Sequence, residues 1–389
     1  MRRTPEVIPD SNRVFGGLTV KDVPMRAMVR VGRSGMHALL DEHIVNGIDV
    51  LRFGVPWPAR QELYLGVSEP AYTRLIVKEQ NGVDRHPALT GPETTASHIF
   101  GGSEHGRSGL TLTGLSESQR AVNTATRKKL IEADVNELAE EIIFDARMLS
   151  EQGATAYEAC RRAAVGVVGT YLFGVTKSEL VEAERLRSTR LDVAVASALT
   201  RDVPMTRPLF SIFDRTFPGK EDYCFGEHDF TNTDFTNLIA PAKALGLGAF
   251  WLLYRKTQQP QLSPYEVTNR VLTYDTSVSF IVPRAPDIDS SPDTLYSASP
   301  YAVLAQRGIE AGIDEEAQKK QLTHIGRIAF GLGGHRCPSG QFTPKLLLAL
   351  AEQTKGIHLH IAGGVPKINP RKLLLRTPHR KTQGHLNFL

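Results

Sequence analysis

One cysteine on a glycine-rich loop, placed just ahead of an apolar helix, constrains this chain more than any other feature. The stretch reads Phe330-Gly331-Leu332-Gly333-Gly334-His335-Arg336-Cys337-Pro338-Ser339-Gly340 and leads into Leu346-Leu347-Leu348-Ala349-Leu350. Gly331, Gly333 and Gly334 permit positive φ and let the backbone approach a flat partner closely. Backbone N–H groups and the start of the next helix would then surround the sulfur, favouring thiolate over thiol. The same residues would also serve as a tight turn around a buried free cysteine.

A thiolate held rigidly at a helix start suits an axial ligand to haem iron. The order and spacing resemble the cysteine-ligand loop of the cytochrome P450 family: Phe, two residues, Gly, one residue, His or Arg, one residue, Cys, one residue, Gly. Phe330, Gly333, His335 and Cys337 match, with Gly331 as the optional second glycine. The match fails at its end, where Pro338-Ser339 delays the last glycine to Gly340. The resemblance implies a mainly α (α+β) fold, a helical domain with a small β-rich region, binding haem b (iron protoporphyrin IX). It assigns Cys337 as the metal ligand, places Phe330 beside it and pairs His335 with a haem propionate. Pro338 removes one possible N–H donor to the sulfur, which would strengthen its donation to iron unless the inserted residue returns a donor.

At 389 residues the chain has room for one large domain or two ordinary ones. The resemblance implies a single haem-thiolate domain over 1–389, with short strands at about 1–70 and 275–300. Hydrophobic content of 41% and charged content of 23% describe a globular protein with a sizeable core. The net charge of +4 is spread along the sequence, so no nucleic-acid partner is expected. Cys160, Cys224 and Cys337 are odd in number and far apart, which gives no disulfide framework and suggests a reducing compartment. The N-terminus lacks the apolar core of a signal peptide, and Leu238–Tyr254 is too short for a membrane span and carries Pro241 and Lys243. A cytoplasmic protein without a membrane partner is the expectation.

Apolar periodicity predicts helices near residue 36–44, from Ser116 to Ile131, over 133–150, from Ala154 to Val175 and over about 178–200. The fourth is rich in small residues and suited to close packing. Strands are expected at Ile48–Phe53, from Tyr64 to Val67 and at His358–Ile361. Two irregular stretches stand apart. By resemblance, 87–118 covers the substrate; 203–236, with its many aromatics, is either a second covering lid or an aromatic satellite core. The resemblance gives the 116–131 helix a propionate-binding arginine, with Arg127 the first choice and Arg120 the other carrier. Arg284 would bind a propionate from a later strand.

The most informative feature by resemblance is a gap. In the family the long helix over the haem carries an acid and an alcohol that deliver protons to dioxygen. Here the matching segment is Ala240-Pro241-Ala242-Lys243-Ala244-Leu245, and no Asp/Glu–Thr pair occurs between Leu238 and Lys256. Ala240, Ala244 and Leu245 become the residues expected to face the cofactor. Downstream, Thr273 stands where the family has Arg and Arg270 where it has Glu, so a buried ion pair is replaced and Arg270 is left to pair with Glu266, one helical turn away. These departures imply a haem-thiolate enzyme of atypical mechanism acting on a small apolar or aromatic metabolite. Peroxide-driven oxygenation, rearrangement or dehydration, and nitrene-type transfer each avoid ordinary dioxygen activation. The alternatives are a conventional ferredoxin-dependent monooxygenase of specialised metabolism, and a haem-binding scaffold or sensor. The partners implied are a small-molecule substrate and either a ferredoxin with its reductase or, for peroxide chemistry, none.

Overall fold

The structure is a computed structural model. It describes residues 16–44, 47–54, 62–74, 117–174, 176–178, 224–225, 228–229, 232–276, 278, 294–331, 336–369 and 375–388. The expected covering loop lies outside the described residues up to 116, and the expected 178–200 helix lies outside beyond 178. Of 203–236, only β4 (Cys224–Phe225), β5 (His228–Asp229) and the first residues of a long helix are described.

The chain opens with a mixed sheet of β1 (Val20–Val23), β2 (Val50–Gly54), β3 (Glu62–Gly66) and β6 (Thr294–Ala298), in the order β1-β2-β3-β6. Outer pairings are parallel and the central one antiparallel, with Leu51 opposite Leu65 and Leu65 opposite Ser297. Helix α1 (Met25–His43) packs on β2 and bends at Gly35, whose φ of 82° only glycine adopts freely. The small core of this region includes Leu40, Phe53 and Tyr301. It is separate from the main core.

That main core is helical. A short α2 (Glu69–Tyr72) follows β3; then come α3 (Glu117–Ile131), α4 (Val135–Glu151) and α5 (Ala156–Phe173). Each of the last two starts on a polar cap. Asp134 accepts from the N–H groups of Asn136 and Glu137, and Thr155 accepts from that of Glu158. Such caps are worth about 1 kcal/mol each. Helix α6 (Asn232–Gln258) runs on through Pro241 for 27 residues. It crosses α5 at Gly246, where an added Cβ would sit 2.5 Å from the Cα of Arg161. Its other side meets the later helix α10 (Phe342–Gln353) near Gly248, where an added Cβ would be 3.0 Å from Leu347. Small residues thus set how near α6 lies to both neighbours.

Helix α7 (Pro264–Arg270) continues into a π-helical turn, Val271–Asp275. Glu266 does not reach Arg270 as the spacing suggests. It closes a capping box instead, accepting from Ser263 N–H while the Ser263 hydroxyl accepts from Glu266 N–H. Arg270 Nε and Thr273 Oγ1 are buried with no partner among the described residues. A different ion pair fills the neighbourhood. Arg255 at the end of α6 grips Asp275 through two bonds of 2.6 and 3.0 Å, and Arg376 approaches to 4.0 Å. Arg376 also donates to Tyr274 O, and its own carbonyl accepts from Trp251 Nε1. Burial pushes the Asp275 carboxyl up, and the two guanidinium groups pull it back.

Helices α8 (Pro300–Arg307) and α9 (Glu315–Ala329) lead to the cysteine loop, and a two-stranded sheet of β7 (Ile357–His360) and β8 (His385–Phe388) closes the far end. No helix among the described residues is long and apolar enough to cross a membrane.

Candidate functional site

Helix α9 ends at Ala329 with Phe330 as its C-cap, and Gly331 takes φ 82°, turning the chain into the loop. Tyr72 of α2 braces this turn by donating to Ile328 O at 3.1 Å. The loop returns when Cys337 N–H donates to Phe330 O at 2.9 Å. Phe330 and Cys337 are therefore joined by their backbones. A single 3-10 turn, Pro338–Gly340, then feeds α10, with Gly340 N–H donating to Cys337 O at 3.2 Å. Gly340 is required for space, because a Cβ there would lie 3.0 Å from Phe330 Cβ and 3.3 Å from Arg336 Nε.

The sulfur's surroundings are polar on one side. Cys337 Sγ and Ser339 Oγ lie 3.1 Å apart. Burial pushes the Cys337 thiol up, whereas the Ser339 hydroxyl, the Ser339 N–H and the charges of Arg336 and Arg127 pull it down. Cys160, in the main core, has no such company: burial pushes it up to about 12. Burial outweighs the pulls on Cys337, so its net shift is also upward; Cys160 is a core thiol, whereas Cys337 has polar groups beside it.

The α6 residues that share a cavity with the sulfur are apolar, while Thr126 and Thr343 add hydroxyls to its lining and Phe342 a ring. A cavity of about 30 Å³ brings together Cys337, Pro338 and Ser339, Thr126 and Leu130 of α3, Val168 and Leu172 of α5, and Ala242 and Leu245 of α6. Ala242 and Leu245 are one helical turn apart, so they share a face. Both are 4% exposed. Of the residues singled out on this helix, Leu245 reaches the cavity, Ala244 is half-buried and outside its lining, and only the backbone of Ala240 is described. Gly333, His335 and Arg284 lie outside the described residues. Arg127 is half-buried, with its charge felt at the sulfur.

Ala242 and Thr126 are among the neighbours that the sequence did not single out. Ala242 was hidden by the choice of helical register. Thr126 gave no signal beyond its place before Arg127. Its side chain is 0% exposed, and Oγ1 has no partner among the described residues. A buried hydroxyl without a partner costs about 1–3 kcal/mol. Its position on the wall of the cysteine cavity is what a bound polar group would satisfy. The donor set (a soft sulfur on a stiff loop, two nearby cations and a buried hydroxyl) fits a thiolate-ligated haem carrying acidic side groups.

No protein-family model and no curated protein sequence matches the chain. Solved structures do. Ligand-free cytochrome P450 OleT aligns over 95% of this chain and 98% of its own, with TM-score 0.58 and 11% identity. Cytochrome P450EX alpha with myristic acid aligns over 96% and 99%, with TM-score 0.58 and 13% identity. The chain has the cytochrome P450 fold. CYP154C4 from Streptomyces sp. W2061 agrees, over 90% and 93% of the two chains at TM-score 0.54 and 14% identity. The mainly α P450 fold with its small β region is thus the architecture the loop's resemblance implied, retained where sequence identity has nearly vanished.

Proposed function

We propose that the chain is one haem-thiolate domain over 1–389, in which Cys337 ligates the iron of haem b and a small apolar or aromatic metabolite is modified without ordinary dioxygen activation. Fold alone does not fix chemistry, so the reading rests on the site. A single contrast carries it: the sulfur, supported by Ser339, Arg336 and Arg127, shares its cavity with Ala242 and Leu245 of α6, and the cavity's hydroxyls (Thr126, Ser339 and Thr343) all come from other elements.

When bound, a thiolate-ligated haem supplies oxidative or group-transfer chemistry to substrates held on its open face. The chain's own contribution is positional. The Cys337 N–H bond to Phe330 O fixes the loop. Arg127 supplies positive charge for a propionate, and Thr126 offers the hydroxyl that its interior position leaves to be satisfied. His335 and Arg284 are proposed as further propionate partners, with Gly333 giving the loop its close approach. Leu245 and Ala242 keep the α6 side of the cavity apolar and hold no proton there, and Ala240 is proposed to extend that face. Peroxide-driven oxygenation, rearrangement or dehydration, and nitrene-type transfer all operate without a proton relay. Neighbours of this fold have been solved with arachidonic acid and with myristic acid, which supports a pocket for largely apolar molecules.

The test is a comparison of turnover by the holoprotein with a panel of apolar acids and aromatic compounds. Hydrogen peroxide in one arm, and a ferredoxin, its reductase, NAD(P)H and dioxygen in the other, drive the reaction. Product from the peroxide arm, with poor coupling of NAD(P)H to product in the other, is expected. Tight coupling in the dioxygen arm establishes the conventional monooxygenase instead.

A further inference from the structure

The donors around the sulfur can be counted. Cys337 N–H is committed to Phe330 O at 2.9 Å, Pro338 has no N–H, and Gly340 N–H is committed to Cys337 O at 3.2 Å. Among the described residues, what remains beside Sγ is Ser339, through its backbone N–H and through Oγ at 3.1 Å. The residue that lengthens the loop, and so spoils its match to the common spacing, is the one that touches the sulfur. The contact has a definite polarity. A thiolate has no proton to give, so when the sulfur is ionised the Ser339 hydroxyl must be the donor.

We propose that Ser339 is a positioning and tuning residue, whose hydroxyl donates to the Cys337 thiolate and limits how much charge that sulfur gives to iron. This rests on Cys337 being the iron ligand. A hydrogen bond draws negative charge onto its own axis, leaving less for the metal. Removing the hydroxyl while keeping the backbone N–H strengthens the Fe–S bond and stabilises the ferric state. Arg336 and Arg127 act on the same sulfur through space, so the hydroxyl effect is separable from theirs by substitution at Ser339 alone.

The experiment uses the haem-loaded protein and three readouts: the carbon monoxide band of the ferrous form, the Fe–S stretching frequency by resonance Raman, and the ferric/ferrous midpoint potential. Ser339→Ala is expected to retain a thiolate-type carbon monoxide band, raise the Fe–S frequency and lower the midpoint. Ser339→Thr, which keeps a hydroxyl, returns both values toward wild type. A purely structural role would move the melting temperature and leave the Fe–S frequency alone, and that result overturns the proposal. If Ser339→Ala does not take up haem, Ser339→Cys, a weaker donor, must give a smaller shift of the same sign; no shift overturns it equally. A wild-type protein lacking the thiolate-type band refutes Cys337 ligation, and this proposal with it, whereas a normal band with unresponsive variants refutes the Ser339 role alone.

Discussion

The two walls of the cysteine cavity are built on opposite principles. On the sulfur side the chain spends polar groups: Ser339 at 3.1 Å, the charges of Arg336 and Arg127, and the buried Thr126 hydroxyl. On the α6 side it spends none, presenting Ala242 and Leu245 and fixing the helix by glycine contacts with α5 and α10. On the proposed reading, Ser339 tunes electron donation from the sulfur, while Ala242 and Leu245 offer the cavity no proton. That asymmetry separates chemistry needing a strong proximal ligand from chemistry needing a distal acid.

Gly246→Val attacks the apolar wall hardest. Its new side chain would run into the Arg161 backbone, which cannot rotate away, so a loss of about 3 kcal/mol or more is expected in thermal or urea unfolding. Tolerance of valine would mean that α5 and α6 are not in backbone contact. Leu245→Thr sharpens the same contrast by putting an alcohol on the apolar side. Dioxygen-driven turnover should rise relative to peroxide-driven turnover by up to about 100-fold, the low end of general acid catalysis. An unchanged ratio would make the apolar face irrelevant to the choice of oxidant.

Thr126→Val probes the polar wall. Without cofactor it should stabilise the protein, by up to about 1–3 kcal/mol, because the unpartnered hydroxyl disappears. With haem it should weaken binding, seen in a titration against wild type. A loss in both states would show that Thr126 has a protein partner. The smallest effect belongs to a site remote from both walls. His324 contacts Arg307 Nη1 at 2.6 Å through Nε2, with Glu69 at 3.6 Å and Arg327 also nearby. Burial first, then the Arg307 charge, lower the His324 pKa. A His held below its unfolded value of about 6.5 contributes stability that is present above that pH and lost as pH falls toward the folded value. Acidification below about 6.5 should therefore cost slightly more stability in wild type than in His324→Gln. Equal pH profiles would remove His324 from the balance.

The cysteine loop was readable because its chemistry is local: an aromatic, spaced glycines and one cysteine within eight residues. The helices at 135–151 and 156–173 were readable from apolar spacing, with Asp134 and Thr155 as caps. Long-range polar contacts were not. Asp275 pairs with Arg255, twenty positions away, because α6 and the π-helical turn converge, and no local pattern announces that. Spacing instead pointed Glu266 at Arg270, and the nearer claim of the Ser263 cap prevailed. Helices α8 and α9 were overlooked although Ser299-Pro300 and Asp314-Glu315-Glu316 start them in the ordinary way. Pro338 drew attention as a lost N–H, yet the Ser339 hydroxyl contact needed coordinates to appear.

The most direct test is the ferrous carbon monoxide spectrum of the purified protein beside that of Cys337→Ala. Thiolate ligation predicts a stoichiometric porphyrin with a carbon monoxide band of the thiolate type, and loss of that band in the variant. A protein without porphyrin, or one whose band persists after Cys337 is removed, contradicts the assignment of this sulfur to iron.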